Sequence, residues 1–125
     1  MSKIANYDPL TGVKNKHAYI DAEAKLNSLI EENESPDFAI IVFDLNGLKT
    51  INDTLGHQAG DQFIKDGCSL ICDYFKHSPV YRIGGDEFVA IAQDHDYLHL
   101  DEIMNYSKLN TFHNHLEKFP FYYEK

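Results

Sequence analysis

Residues 82–88 read Arg82-Ile83-Gly84-Gly85-Asp86-Glu87-Phe88, flanked by two apolar stretches, residues 80–83 and 88–91. Two β-prone runs joined by a glycine-rich acidic core predict a tight hairpin. Such a turn lifts two carboxylates, Asp86 and Glu87, to the end of a sheet. Gly84 and Gly85 permit backbone with positive φ and leave no side chain between the turn and an incoming ligand, so a large anion can lie against the main chain. Alone, Gly-Gly-Asp is a common surface-turn signal. The remainder of the chain decides between a bland turn and a site.

Upstream of the hairpin, Phe63, Ile64, Cys68, Ile71, Tyr74 and Phe75 recur at helical spacing. Before them a short helix is expected after the Asn46-Gly47 turn, stopping at Gly56, a C′ glycine. Residues 38–43 form a near-continuous apolar run ending at Asp44, the pattern of a central strand buried on both faces with a carboxylate at its C-terminal end. Residues 6–15 carry Asp-Pro and Thr-Gly turn signals and give way to a helix with Ala22, Leu26, Leu29 and Ile30 on one face; residues 31–36 close it. Downstream, a helix is expected over about residues 98–118 and the start of a strand over 119–123. These elements predict an α/β (α+β) fold, a mixed, largely antiparallel sheet covered by helices. The chain stops just as that last strand begins, which suggests a piece of a larger domain.

With 125 residues and 43% hydrophobic content, the chain is read as one domain, residues 1–125, able to bury roughly two thirds of its unfolded surface. No apolar run approaches the roughly 20 residues of a membrane span, and the N-terminus lacks a signal-peptide apolar block. A cytoplasmic location is expected, although a parent protein can be membrane-attached through another domain. Cys68 and Cys72 lie on one face of one helix and suit a reduced interior rather than a disulfide framework. Acidic residues number 20 against 11 basic, a formal net charge of −9, which repels polyphosphate backbones and argues against nucleic acid as a partner. An anionic substrate on so acidic a chain requires a bridging divalent cation.

Three clusters carry chemistry: Asp44-Leu45-Asn46-Gly47-Leu48-Lys49, the stretch from Asn52 to Asp61, and Gly84-Gly85-Asp86-Glu87-Phe88. Together with Asp8-Pro9-Leu10-Thr11-Gly12 they resemble, in order and spacing, the GGDEF family of diguanylate cyclases, and the resemblance covers about residues 7–125. It implies a palm-like, ferredoxin-like fold with the signature on the hairpin turn, and condensation of two GTP into cyclic di-GMP and pyrophosphate. Two carboxylates about 4 Å apart repel by roughly 4 kcal/mol at an effective dielectric near 20, so Asp44 and Asp86, if brought together, call for a cation. The resemblance implies Mg²⁺ or Mn²⁺ there, held by Asp44, Asp86 and the main-chain carbonyl of Leu45, with Asp86, Glu87 and Asp44 as the catalytic acids. A bland alternative makes Asp44 a helix N-terminal acid and Asp86 a turn former.

Gly47 and Leu48 open a helix after a strand, and their free N–H groups make a cradle for the β- and γ-phosphates, with Lys49 either assisting or simply solvated. Gly84 and Gly85 complete the phosphate-facing backbone. Asn52 and Asp61 resemble the family's guanine-recognising pair; a carboxylate accepts from N1–H and the exocyclic amine while an amide N–H meets the acceptors. The competing reading is that both merely cap helices. Arg82 is expected to pair with Asp8 as a clamp between two motifs. The histidines, including His95, His99, His113 and His115, read as surface residues rather than ligands, with His113 and His115 on opposite sides of a helix.

Departures from the family pattern matter equally. Asn46 replaces a second aspartate, and the Arg-x-x-Asp of the family's product-inhibition site is replaced by Phe75 and Ser78, so product feedback there is expected to be absent. The strand bearing Ser-x-Gly and the helix bearing an Ala-Asp and Tyr-x-x-Lys pattern that follow in complete members do not occur, so the chain is expected to lack the C-terminal strand and helix and to be inactive alone. The resemblance further implies a homodimer for catalysis and an upstream sensor in the parent protein. The alternative function is a catalytically silent module that binds GTP or a partner protein.

Overall fold

The computed structural model describes residues 5–106, 113–119 and 122–123, with side chains through residue 105. In chain order the elements are α1 (Lys16–Glu31), β1 (Phe38–Asp44), α2 (Leu48–Leu55), α3 (His57–Tyr74), β2 (Val80–Arg82), β3 (Glu87–Ala92), α4 (Asp94–Leu98), α5 (Leu100–Tyr106), β4 (His113–Phe119) and β5 (Tyr122–Tyr123). The strands form one sheet in the order β2-β3-β1-β4-β5, and each neighbouring pair is antiparallel.

β1 is central because both of its faces are covered. Ala39, Ile41 and Phe43 point to one side, where they meet Phe88, Ala90 and Ala92 of β3 and Ile64, Cys68 and Ile71 of α3. Phe75, the residue that ends α3, packs its ring 5.9 Å from that of Phe43. On the opposite side Phe38, Tyr81 and Ile91 are covered by Ala18, Tyr19, Ala22, Leu26 and Ile30 of α1. The period-2 alternation of a strand thus sends successive residues into two different cores. That is why residues 38–43 show no polar face.

Local chemistry fixes the helix ends. Asn15 caps α1, its side chain accepting from the Ala18 N–H at 3.0 Å. Gly47 and Gly56 bound α2, both at positive φ (94° and 93°), where a side chain would be strained. Ahead of α1, the main chain of residue 14 bridges to β2: the Lys14 N–H donates to the Val80 carbonyl at 3.2 Å, and the Arg82 N–H to the Lys14 carbonyl at 2.8 Å. The N-terminal turn is thereby tied to the hairpin.

The structure corrects the reading of the C-terminal part. The expected helix over 98–118 is instead two short helices, α4 and α5, followed by a strand, β4. α4 opens at Asp94 with φ 52°, and His99 stands between it and α5. β4 pairs with the full length of β1, from Phe38↔Phe119 to Asp44↔His113, filling the edge that β3 leaves open. A partner about 70 residues away outweighs a weak helical pattern, because strand formation is decided by pairing and cross-strand contacts more than by local preference. His113 and His115 therefore sit on a strand, at register positions opposite Asp44 and Val42. The strand expected to begin at 119 ends there, and residues 122–123 fold back on it as β5.

Candidate active site

The β2–β3 hairpin carries the signature at its turn. Arg82 pairs with Phe88 across the ladder, and the N–H groups of Ile83 and Gly84 both donate to the Glu87 carbonyl, at 2.9 and 3.3 Å. The turn is therefore residues 84–86, with Glu87 opening β3. Neither Gly84 nor Gly85 has positive φ, so the turn leaves unused the conformational freedom that glycine permits. Space is what these glycines provide: nothing lies within 4 Å of where a Cβ on Gly85 would stand.

Arg82 holds the turn from below. Its Nε donates to the Gly84 carbonyl at 3.2 Å and its Nη2 to the Gly85 carbonyl at 2.9 Å, while Nη1 reaches Asp8 Oδ1 and Oδ2 at 3.1 and 3.2 Å. The expected Arg82–Asp8 pair is present, and both side chains are largely buried. Asp8 Oδ2 also accepts from the Thr11 N–H at 2.9 Å and hydroxyl at 2.8 Å. Burial pushes the Asp8 carboxyl upward, but the two Thr11 bonds and the Arg82 charge outweigh it and hold the group below its usual range. Asp8-Pro9-Leu10-Thr11 is thus a folded buttress for the signature.

At the far end of β1 the carboxylates gather. Asp44 faces Glu87 directly across the β1–β3 ladder, and the Leu45 N–H donates to the Asp86 carbonyl at 2.9 Å. Asp44, Asp86 and Glu87 are all half-buried, and Leu45 is anchored in the core at 0% exposure. The Glu87 Oε1 sits 3.6 Å from where a Gly84 Cβ would be. Carboxylate and carbonyl oxygens are the hard donor set that suits Mg²⁺ or Mn²⁺, and Mg²⁺ keeps several waters rather than demanding an all-protein cage. The residues therefore fit such an ion, although the three carboxylates do not close to within 4.8 Å of one another as a trio.

Helix α2 starts beside them. Gly47 stands at its N-cap with no side-chain cap, the first helical bond being Ile51 N–H to the Gly47 carbonyl at 3.0 Å. The amides of the first turn remain for an outside acceptor, as at anion-binding helix starts. Leu48 packs on the core and Lys49 is exposed. Asn52 lies in the middle of α2 and Asp61 past the first turn of α3, so neither caps a helix; the caps are Gly47 and Gly56. Asn52 is half-buried and Asp61 exposed. Buried Gly60, next to Asp61 in the chain, packs against Asn52: a Cβ there would lie 2.8 Å from Asn52 Cγ and nearer still to its Oδ1. The amide of Asn52 thus occupies the space a side chain at 60 would fill, one residue from Asp61.

Three features escaped the sequence. The carbonyl bonds of Arg82 need the folded turn to be visible. The role of Gly60 needs the α2–α3 packing angle. His95, read as an isolated surface residue, stands with His77 and Asp96, their ligand atoms within 4.8 Å of one another. Elsewhere the structure agrees with the reading: Cys68 and Cys72 are free thiols, and the Cys72 contact together with burial pushes the Cys68 thiol upward. Phe75 is a core residue and Ser78 donates to Asp96, so no arginine–aspartate pair stands before the hairpin. Among the described residues no helix is long and apolar enough to cross a membrane.

Comparison with known proteins gives a consistent picture. The family model described as "Diguanylate cyclase, GGDEF domain" matches residues 5–118. The chain is 36% identical over 95 residues to the diguanylate cyclase DgcS of Shewanella oneidensis, covering 74% of this chain and 31% of that protein. It is 33% identical over 92 residues to the cyclic di-GMP phosphodiesterase PdeR of Escherichia coli, covering 73% of this chain and 14% of that one. The chain thus spans under a third of either relative. Among solved structures, the GGDEF domain of DgcB from Caulobacter crescentus in complex with c-di-GMP aligns with TM-score 0.68 and 25% identity, over 91% of this chain and 74% of that one. Diguanylate cyclase SiaD from Pseudomonas aeruginosa, in complex with its activator SiaC, aligns with TM-score 0.71 and 16% identity, over 90% of this chain and 48% of that one.

Proposed function

Since this chain belongs to the diguanylate cyclase GGDEF domain family, we propose that it binds GTP with a divalent metal ion and serves the condensation of two GTP into cyclic di-GMP and pyrophosphate. The observation that carries this reading is the β1–β3 register, which sets Asp44 opposite Glu87 and bonds the Leu45 amide to the Asp86 carbonyl, directly beside the uncapped start of α2. Asp44, Asp86 and the Leu45 carbonyl would hold Mg²⁺ or Mn²⁺, with Glu87 alongside. When bound, the ion supplies charge neutralisation for the phosphates and the leaving pyrophosphate.

The chain's own groups supply binding and orientation. Amides of Gly47, Leu48 and Lys49, with the open backbone of Gly84 and Gly85, receive the β- and γ-phosphates. Asp61 accepts from guanine N1–H and the exocyclic amine, and the Asn52 amide meets its acceptors. Arg82 and Asp8 keep the signature turn in place. One chain presents one such site, so two chains meet face to face. In each half-reaction an O3′–Pα bond forms, the bond from Pα to pyrophosphate breaks, and the hydroxyl proton passes to a nearby base or solvent. Positioning supplies much of the rate. A cytoplasmic setting and an upstream sensor that controls pairing complete the proposal.

Asp86→Ala in the protein that contains this chain is expected to abolish cyclic di-GMP formation measured by chromatography. Product formed at the native rate would overturn the reading. The likeness to a protein named a phosphodiesterase favours one second reading, a GTP-binding or partner-binding module without turnover. Mg²⁺-dependent GTP binding with no product at high protein concentration is the result that would select it.

A further inference from the structure

We propose that His77, His95 and Asp96 form a second metal site, for a transition-metal dication of the Zn²⁺ class. The site is independent of the one assigned to GTP. His77 lies in the loop between α3 and β2, and His95 and Asp96 lie in the first turn of α4. The ligand atoms of the three all stand within 4.8 Å of one another. Tetrahedral Zn²⁺ with bonds of about 2.0–2.1 Å spaces its ligands by roughly 3.3 Å, so small rotations of the two exposed imidazoles close the set.

Asp96 is what distinguishes this cluster from histidines that merely share a surface. It is 2% exposed, the one buried charged residue among those described. Its Oδ2 accepts from the His77 N–H at 2.8 Å and from the Ser78 hydroxyl at 2.6 Å. Both bonds fall on one oxygen, which fixes the carboxylate beside the imidazoles. Such outer hydrogen bonds orient ligands in metal sites. The His77 and His95 rings are 5.1 Å apart, and His99 stacks on His95 at 4.2 Å. The His99 Nδ1 lies 2.9 Å from the His95 carbonyl, which holds the stack in place. The cleft around them, about 260 Å³, is also lined by Asp73, Glu102 and Lys76; with Asp96 the acids outnumber the lysine, and the net negative lining draws cations.

Two imidazole nitrogens and one carboxylate oxygen select Zn²⁺, Co²⁺ or Ni²⁺ over Mg²⁺, and three protein ligands leave a position open to water or another ligand. The cluster follows the C-terminal end of β3, whereas the signature turn precedes its N-terminal end; six strand residues separate them by roughly 17 Å. A metal there would join α4 to the loop before β2 and clamp the open end of the hairpin.

The test is titration of the chain with Co²⁺, read by visible d–d absorption, and with ZnCl₂ by calorimetry, both in excess Mg²⁺. One equivalent is expected to bind and to raise the melting temperature. His77→Ala and His95→Ala, both at exposed positions, are each expected to weaken binding at least about tenfold with the fold retained by circular dichroism. His17→Ala and Cys72→Ser are expected to leave it unchanged. Failure of the native chain to bind either ion, binding indifferent to both histidine substitutions, or binding lost in Cys72→Ser overturns the proposal.

Discussion

Gly60→Ala separates the stability of this fold from its proposed guanine site. A Cβ at 60 would stand 2.8 Å from Asn52 Cγ, where carbon atoms in ordinary contact sit about 3.8 Å apart. The Asn52 amide must therefore retreat by more than about 1 Å, its Oδ1 furthest of all. It can do so, since it is the tip of a side chain on the α2 surface, and alanine in a helix interior gains roughly 0.5–1 kcal/mol over glycine. The variant is thus expected to melt at or above the native temperature. Its guanine site, however, loses the amide from its place. A hydrogen-bond partner left unmet costs about 1–3 kcal/mol, so affinity for a nonhydrolysable GTP analogue should fall roughly tenfold to a hundredfold. Adding Asn52→Ala should cost little more, because both substitutions remove the same interaction. Calorimetric titration of the single and double variants reads this directly. Native affinity in a folded Gly60→Ala protein would refute the placement of Asn52 in the base site.

Other substitutions probe the supports. In Asp8→Asn the charge-assisted bonds to Arg82 and Thr11 are lost, and stability at pH 7 should drop by about 1.5–3 kcal/mol in denaturant unfolding. Because the folded carboxyl lies below its ordinary 3.8, the native advantage is present above that value and disappears as pH falls through the folded one; an advantage that grew on acidification would contradict the assignment. Gly67→Ala sets a Cβ 2.7 and 2.9 Å from the Leu45 methyls, which are locked in the core, so overpacking should cost about 1–3 kcal/mol in thermal unfolding. Arg82→Lys removes the fork that bonds the Gly84 and Gly85 carbonyls, and faster hydrogen exchange of the Gly84 amide is expected, with that of central β1 unchanged.

Much of this architecture was legible because it is local. The apolar run ending at Asp44, the Asn46-Gly47 and Gly56 stops and the stripe from Phe63 to Phe75 each state their own element, and the structure finds β1, α2 and α3 there. The pairing of Arg82 with Asp8, 74 residues apart, was inferred from two motifs and is present. What escaped depends on contacts between distant segments. His113 to Phe119 holds few apolar residues and becomes a strand because β1 offers an unpaired edge. Asp96 is acidic in a hydrophilic stretch, and nothing before folding marks it as buried beneath Ser78 and His77. Gly84 and Gly85 could adopt left-handed backbone, yet neither does, and the space beside Gly85 stays open.

In the proposed function, the signature turn, the end of β1 and the start of α2 together bind a guanine nucleotide with a divalent ion. Calorimetric titration of the chain with a nonhydrolysable GTP analogue, with and without Mg²⁺ and beside the ATP counterpart, reads this binding. Binding that requires Mg²⁺, prefers guanine by at least about tenfold and is lost in Asp44→Asn is the predicted result. Binding that ignores Mg²⁺, treats the two bases alike or survives that substitution would contradict it.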